Sequence, residues 1–307
     1  MEIAVTGDWQ AGLVPAKGGR DTVLVGLLGS GIAASRTPHM HMTVGAELGL
    51  SYDYRLLDVD KAGSPPDLGA LLDRLQAAGF AGINVTYPYK QAILPLLDTV
   101  SDDARLANAV NTVVFRDGRR VGENTDTGGF RDSFRSGLPD APRRRVLLVG
   151  AGGAGGAVAR ALCDEGVERL LVHDVDASRA ADLVARLGAD RAEVVTDLAA
   201  AVAAADGIVN ATPIGMDKLP GLPLPAEMIA PRHWVADIVY FPLETALLAA
   251  ARARGCRVLP GSGMAVHQAV RAFELFTGLK PDPARMWAAF ESAGASRTPN
   301  RHEEDPR

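Results

Sequence analysis

Cysteine is nearly absent from the chain: Cys163 and Cys256 are the only two among 307 residues. Two thiols so far apart exclude a disulfide framework and a four-thiolate zinc site, and they fit a reducing cytoplasm. Long apolar runs are missing as well. No uninterrupted stretch reaches the ~20 residues that a membrane helix requires, and the first residues, Met1 to Asp8, lack a basic segment followed by an apolar core. A cytoplasmic protein with no membrane partner is therefore expected. The chain also lacks excess positive charge. A formal net charge of -5 supplies no broad basic field, which argues against nonspecific binding of nucleic acid or anionic membranes. Lysine itself is scarce, 5 residues against 27 arginines, so each lysine invites a reason. Internal repeats and low-complexity tracts are absent too.

What is present is a normal core-forming composition, 47% hydrophobic and 22% charged, on a chain longer than one core usually organises. The pattern predicts an α/β protein in two lobes. Strands are expected at Thr22–Leu28, Tyr52–Leu57 and Gly82–Val85, with helices after Pro38, over 66–78 and over 89–97. Alternation of this kind implies a largely parallel sheet wrapped by helices. A hairpin is expected around Asp117-Gly118 before Asn124. A second sheet is expected from strands at Val146–Val149, Leu170–Val172, Gly207–Val209, Trp234–Ile238 and Val258-Leu259, with a boundary and hinge near residues 127 to 143 and a second hinge near 260 to 267. The helix expected from Gln268 to Leu279 returns the chain to the first lobe. Read as domains, residues 22–127 plus 265–292 form a substrate lobe and 128–264 a dinucleotide lobe, with tails at 1–21 and 296–307.

The glycines of Gly150-Ala151-Gly152-Gly153-Ala154-Gly155 match G-x-G-x-x-G between a strand and a helix. The first glycine permits a tight turn, the second lets backbone approach a pyrophosphate, and the helix N-terminus offers unpaired N–H groups. Methyltransferases and tight helix packing can carry the same glycines. Asp174, 24 residues after Gly150, stands where a carboxylate accepts bonds from ribose hydroxyls and repels a 2′-phosphate. NAD is thus expected over NADP, with Arg179 nearby as a partial offset.

Oxidising an alcohol by hydride transfer also requires a group that takes the hydroxyl proton. Lys90 and Asp126 are candidates, a lysine tuned by burial and by a neighbouring carboxylate. Their separation of 36 residues makes that contact a demand on the fold. His39 and His41, two residues apart, share no helix face and no acidic partner follows, so a metal site is not expected. His267 reads as a helix-surface residue.

Several segments together carry a resemblance. Gly29-Ser30-Gly31-Ile32 with Ser35-Arg36-Thr37-Pro38, Asn84-Val85-Thr86-Tyr87-Pro88-Tyr89-Lys90, Ala109-Val110-Asn111-Thr112, Asn124-Thr125-Asp126, Asn210-Ala211-Thr212-Pro213-Ile214-Gly215-Met216, Asp237-Ile238-Val239-Tyr240 and Gly263-Met264 with His267-Gln268 resemble, in order and spacing, the shikimate dehydrogenase family. The resemblance spans about residues 22 to 292. It implies a substrate lobe and a Rossmann lobe with the active site between them. It also implies Lys90 and Asp126 as the catalytic pair, and Ser35, Thr37, Thr86, Asn111, Tyr240 and Gln268 around a cyclic polyhydroxy acid. Gly150, Gly152, Gly153, Ala154, Asp174 and Arg179 would face the dinucleotide, with Thr212, Val239, Gly261 and Met264 at its nicotinamide end. Thr37 stands where serine is common, Gly31 where proline is, and Ala34 where histidine is. Together with His173-Asp174 these departures make the chain more similar to the NAD-dependent quinate/shikimate branch. The implied reaction is reversible oxidation of quinate or shikimate to its 3-dehydro product. A dehydrogenase of an amino analogue, a non-catalytic nucleotide-sensing module and a methyltransferase remain as alternatives, and pairing into a homodimer stays open.

Overall fold

The computed structural model describes residues 22–61 and 66–295; the tails proposed at 1–21 and 296–307 lie outside them. In chain order the elements are β1 Val23–Gly29, α1 Thr37–Glu47, β2 Tyr52–Asp58, α2 Leu68–Ala77, β3 Gly82–Val85, β4 Thr99–Val100, α3 Asp102–Ala107, β5 Thr112–Arg116, β6 Arg119–Glu123 and α4 Thr125–Gly137. Then follow β7 Arg145–Val149, α5 Gly153–Asp164, β8 Arg169–His173, α6 Ala177–Leu187, β9 Ala192–Val194, α7 Leu198–Ala204, β10 Gly207–Asn210, β11 Trp234–Asp237, α8 Ala246–Ala253, β12 Arg257–Leu259, α9 Ser262–Thr277 and α10 Pro283–Ala295.

Two six-stranded sheets result. The first runs β2-β1-β3-β5-β6-β4. Its β1, β2 and β3 are parallel, whereas β3 with β5 and β5 with β6 are antiparallel. The hairpin between β5 and β6 turns at Asp117 and Gly118, both with positive φ, which matches the twist of the flanking strands. This sheet is mixed rather than purely parallel. The second sheet, β12-β11-β10-β7-β8-β9, is parallel throughout. Its order reverses at β7, so a crevice opens where the chain leaves β7 and β10. The continuous apolar stretch Val146–Val149 is buried on both sides, as a strand covered by helices on two faces must be. On one face Leu148 and Val209 pack with Val158, Phe134 and Trp234; on the other, Leu147, Ile208 and Val235 pack with Val202 and Leu247.

One expectation needs correction. Residues 89–97 are not an α-helix but a run of turns ending in a short 3-10 helix, Leu94–Leu96. Pro95 explains this, because it has no N–H to give to the Gln91 carbonyl and its ring would clash there. The segment 127 to 143 begins within helix α4, and 260 to 267 runs into α9. Asn124 caps α4 by accepting from Asp126 N and Thr127 N. Helices α4 and α9 lie so close that a Cβ at Gly129 would stand 2.8 Å from Gln268 N and 2.9 Å from Met264 O. On the other side of the crevice α3 meets α5, where any side chain at Gly156 would overlap the Ala107 carbonyl. Arg186 also donates to the Leu106 carbonyl at 3.2 Å.

Candidate active site

Lys90 follows β3 in the turn segment, where its own carbonyl accepts from Val110 N at 2.8 Å and Tyr89 N donates to the Thr86 carbonyl. Asp126 sits in the first turn of α4. Asn124 holds that turn from both sides, because its Nδ2 also donates to the Ala109 carbonyl at 2.8 Å. These supports bring Lys90 Nζ to 2.6 Å from Asp126 Oδ2, with the side chains 20% and 8% exposed. The ion pair is therefore shielded yet open on the lysine side, which is what a proton-handling pair beside a cleft requires. Tyr240, from the loop after β11, lies near the same carboxylate. Burial first, and then the Asp126 charge, push its phenol up, with Arg36 opposing.

Of the other residues named for substrate, Thr86 bonds within the Lys90 segment, and Asn111 and Gln268 bond Thr125, the neighbour of Asp126. Thr86 N donates to the Leu28 carbonyl, which fixes Thr86 beside Gly29. Ser35 Oγ accepts from Thr37 N at 3.3 Å, so both hydroxyls open the first turn of α1. Asn111 accepts from Thr125 N at 2.7 Å, and Gln268 accepts from Thr125 Oγ1 at 3.4 Å. Gly31 has φ +64, a value that proline cannot reach, and Lys218 Nζ occupies the space a Cβ would fill there. His267 instead has Asp132 and Arg271 as charged neighbours, and burial lowers its pKa. His41 is fully buried and bonds Tyr52. Among the described residues, no group of three or more His, Cys, Asp or Glu side chains could hold a metal, and no helix is long and apolar enough to cross a membrane.

The glycine loop leaves β7 at Gly150, whose φ of +102 suits glycine alone. A side chain at Gly155 would overlap the Gly150 carbonyl, and one at Gly150 would stand 2.8 Å from Ala211. At Gly152, by contrast, a Cβ would meet nothing within 4 Å. The protein thus has no packing reason for that glycine, and the open space lies at the N-terminus of α5 where a pyrophosphate is held in such folds. Asp174 accepts from Ala151 N at 2.7 Å and Asp176 N at 2.9 Å, so it ties the loop to the end of β8. Arg179 is exposed and pairs with Asp176 at 3.4 Å rather than with Asp174. Thr212 folds back on Asn210 Oδ1 at 2.7 Å, and Asn210 bonds Asp237 at 2.9 Å. Val239 N reaches the same Asp237 oxygen at 3.0 Å, and a side chain at Gly261 would overlap the Ile238 carbonyl. Met264 is buried next to these residues. The residues present fit a dinucleotide lying from Asp174 across Gly152 toward Thr212, Val239 and Met264. Gly153 brings that loop to the Lys90–Asp126 pair, since its Cβ would lie 3.6 Å from Lys90 Cβ.

Asn124, Asp237, Asn84 and Tyr54 bond to the candidate side chains or to their supports and were given no role from sequence. An Asn followed by Thr-Asp is a legible helix cap; Tyr54 and Asn84 bond partners 30 and 28 residues away, and Asp237 joins nearby Val239 N to distant Asn210, pairings that spacing alone does not show.

Three family models match the chain: the shikimate dehydrogenase substrate binding domain over residues 27–113, shikimate / quinate 5-dehydrogenase over 134–215, and the shikimate 5'-dehydrogenase C-terminal domain over 261–289. A shikimate dehydrogenase (NADP(+)) of Streptomyces avermitilis is 50% identical over 285 residues, 90% of this chain and 98% of that one. A quinate/shikimate dehydrogenase (NAD(+)) of Corynebacterium efficiens is 50% identical over 281 residues, 89% of this chain and 99% of that one. Among solved structures, quinate dehydrogenase from Corynebacterium glutamicum in complex with NAD aligns with a TM-score of 0.83 at 48% identity, covering 89% of this chain and 99% of that one.

Proposed function

The chain belongs to the shikimate dehydrogenase family and is an oxidoreductase that uses a nicotinamide dinucleotide; from that premise we propose that it oxidises quinate to 3-dehydroquinate and shikimate to 3-dehydroshikimate, reversibly and with NAD. The observation that carries this reading is the 2.6 Å Lys90–Asp126 pair set against the glycine loop. Sequence identity does not choose between cofactors, since an NADP and an NAD relative stand at the same 50%. Asp174 favours NAD. A carboxylate whose oxygens already cap the loop suits a ribose diol as donor and repels a 2′-phosphate, and Arg179 is turned toward Asp176.

In this reading the substrate lobe is 22–127 with 265–292 and the dinucleotide lobe is 128–264, with α4 and α9 packed together where the two join. Bound nicotinamide supplies the two-electron acceptor for the ring carbon. Lys90 takes the hydroxyl proton in oxidation and returns it in reduction, and Asp126 holds the Lys90 ammonium in place between those steps. Ser35 and Thr37, at the start of α1, hold the carboxylate. Thr86, Asn111 and Gln268 bond the ring hydroxyls, and Tyr240 closes the site from the second lobe. The α3–α5 contact forms the closed side of the cleft.

The test is the rate of absorbance change at the reduced-nicotinamide band with quinate or shikimate, each with NAD and NADP. Turnover favouring NAD by about tenfold or more in kcat/KM is expected. Equal rates with NADP would remove Asp174 from cofactor choice, and no rate with either acid would remove the substrate reading.

A further inference from the structure

The side chains behind the substrate-facing amides form one continuous hydrogen-bonded series, and its polarity can be read from end to end. Tyr54 Oη donates to Asn84 Oδ1 at 2.8 Å. Asn84 Nδ2 donates to Thr112 Oγ1 at 2.9 Å and reaches the Asn111 carbonyl at 3.4 Å. Thr112, whose lone pair is thereby engaged, donates to Asn111 Oδ1 at 3.1 Å. Asn111 Nδ2 donates to Thr125 Oγ1 at 2.8 Å, and Thr125 Oγ1 donates to Gln268 Oε1 at 3.4 Å. Gln268 Nε2 ends the series on the Ala265 carbonyl at 3.0 Å. Tyr54, Asn84, Asn111, Thr112 and Thr125 are all buried, so water does not compete for these partners.

Two groups set the direction. Thr125 N, a backbone donor that cannot reverse, gives its hydrogen to Asn111 Oδ1 at 2.7 Å. That oxygen also takes the Thr112 hydrogen and has no third lone pair, so the Thr125 hydroxyl at 3.2 Å turns to Gln268 instead. At the far end burial holds the Tyr54 phenol well above its ordinary pKa, with the Tyr52 and Tyr240 charges adding to it, and it stays a donor. Each terminal amide therefore has its oxygen occupied and one N–H uncommitted.

The geometry points to Tyr54, Asn84 and Thr112 as positioning residues that keep Asn111 Oδ1 filled and send the Thr125 hydrogen to Gln268, which with Thr125 N and the Ala265 carbonyl holds both amides as donors toward the ligand, so that the site takes a ring oxygen at those two positions and rejects a ring ammonium. This deepens the proposed function and rests on its placing of Asn111 and Gln268 at the substrate. A hydroxyl or ketone oxygen accepts from an amide N–H, whereas an ammonium has only donors and would face N–H with N–H. The amino-analogue alternative is thereby disfavoured at the positions these amides contact.

The test compares wild type with Tyr54→Phe, Thr112→Val and Thr112→Ser, using quinate or shikimate as substrate and the amino analogue of the same acid as competing inhibitor. In Tyr54→Phe and Thr112→Val, KM is expected to rise about tenfold with kcat within about twofold, because Asn111 Oδ1 loses the Thr112 hydrogen, the Thr125 hydroxyl turns back to it and Gln268 Oε1 is left without a donor, while the Lys90 pair is untouched. Thr112→Ser keeps the hydroxyl and should restore the wild-type KM. Binding of the amino analogue, weak in wild type, should improve relative to the acid in the two relay variants. If Thr112→Val does not fold, Tyr54→Phe carries the test alone, since it removes one oxygen at the end of the series. An active wild type whose KM is unchanged in the folded variants, or which binds the amino analogue as tightly as the acid, overturns the relay and leaves the dehydrogenase reading standing. A wild type inert toward both acids overturns the two together.

Discussion

Replacing Gly129 by alanine tests whether the α4–α9 contact sets the geometry of the site. The new methyl would stand 2.8 Å from Gln268 N, 2.9 Å from Gln268 Cβ and 2.9 Å from Met264 O, whereas carbon contacts relax at about 3.5–4.0 Å. The helices must therefore separate by roughly half an ångström or more. Alanine gains about 1 kcal/mol over glycine in a helix interior, and overpacking of this kind costs about 1–3 kcal/mol. Because all the crowding atoms belong to the facing helix, two of them backbone, they cannot yield as a flexible side chain would, and the net loss reaches up to about 2 kcal/mol. The functional effect should be larger than that suggests. Gln268 and Met264 are displaced from Thr125 and Asp126, and the 3.4 Å Thr125–Gln268 bond has no length to spare. The expected outcome is a lower Tm and a loss in kcat/KM of about tenfold or more. Gly69→Ala is the control: it lies in α2, where the methyl would meet only Asp67 Oδ1 at 3.4 Å, so Tm should hold or rise with activity unchanged. Gly129→Ala behaving like Gly69→Ala would refute the reasoning.

Asp174→Asn removes the charge that repels a 2′-phosphate, and the preference for NAD over NADP, read as a ratio of kcat/KM, should shrink by about tenfold; an unchanged ratio would exclude Asp174 as the selector. His41 predicts an acid-sensitive fold. Burial lowers its pKa from 6.5 to about 3, so the unfolded chain takes up the proton first. This contribution is intact above pH 6.5 and is lost as pH falls from 6.5 toward 3, on the order of 1 kcal/mol per pH unit. Chemical denaturation of His41→Phe between pH 6.5 and 4.5 should show a shallower dependence than wild type, by about one proton; parallel curves would contradict it.

Local chemistry was the legible part of this chain. The strand, glycine loop and helix at 146–164 can be read from sequence because the turn at Gly150 and the close approach of Gly155 to the Gly150 carbonyl are set within the loop, and the short apolar strands of both sheets are local signals of the same kind. Distance along the chain limited the rest. The Lys90–Asp126 contact depends on the β5–β6 hairpin carrying Asn124 back beside Ala109, which no spacing encodes. Helix α4 was obscured by its own sequence, since Thr-Asp-Thr-Gly-Gly has poor helix propensity and is held instead by its Asn124 cap and by α9. The reverse error arose at 89–97, where apolar spacing suggested a helix that Pro95 forbids. Tyr54 looks like any strand tyrosine, and its place at the head of the buried relay emerges only when β2, β1 and β3 lie side by side.

The most direct test of the central claim is a single comparison: kcat for wild type and Lys90→Ala with shikimate and NAD, with NAD binding followed by fluorescence titration of both proteins. The account predicts that the variant binds NAD with unchanged affinity and loses about a hundred- to ten-thousandfold in kcat. A variant that keeps its turnover would contradict it and would take the proton-transfer role away from the Lys90–Asp126 pair.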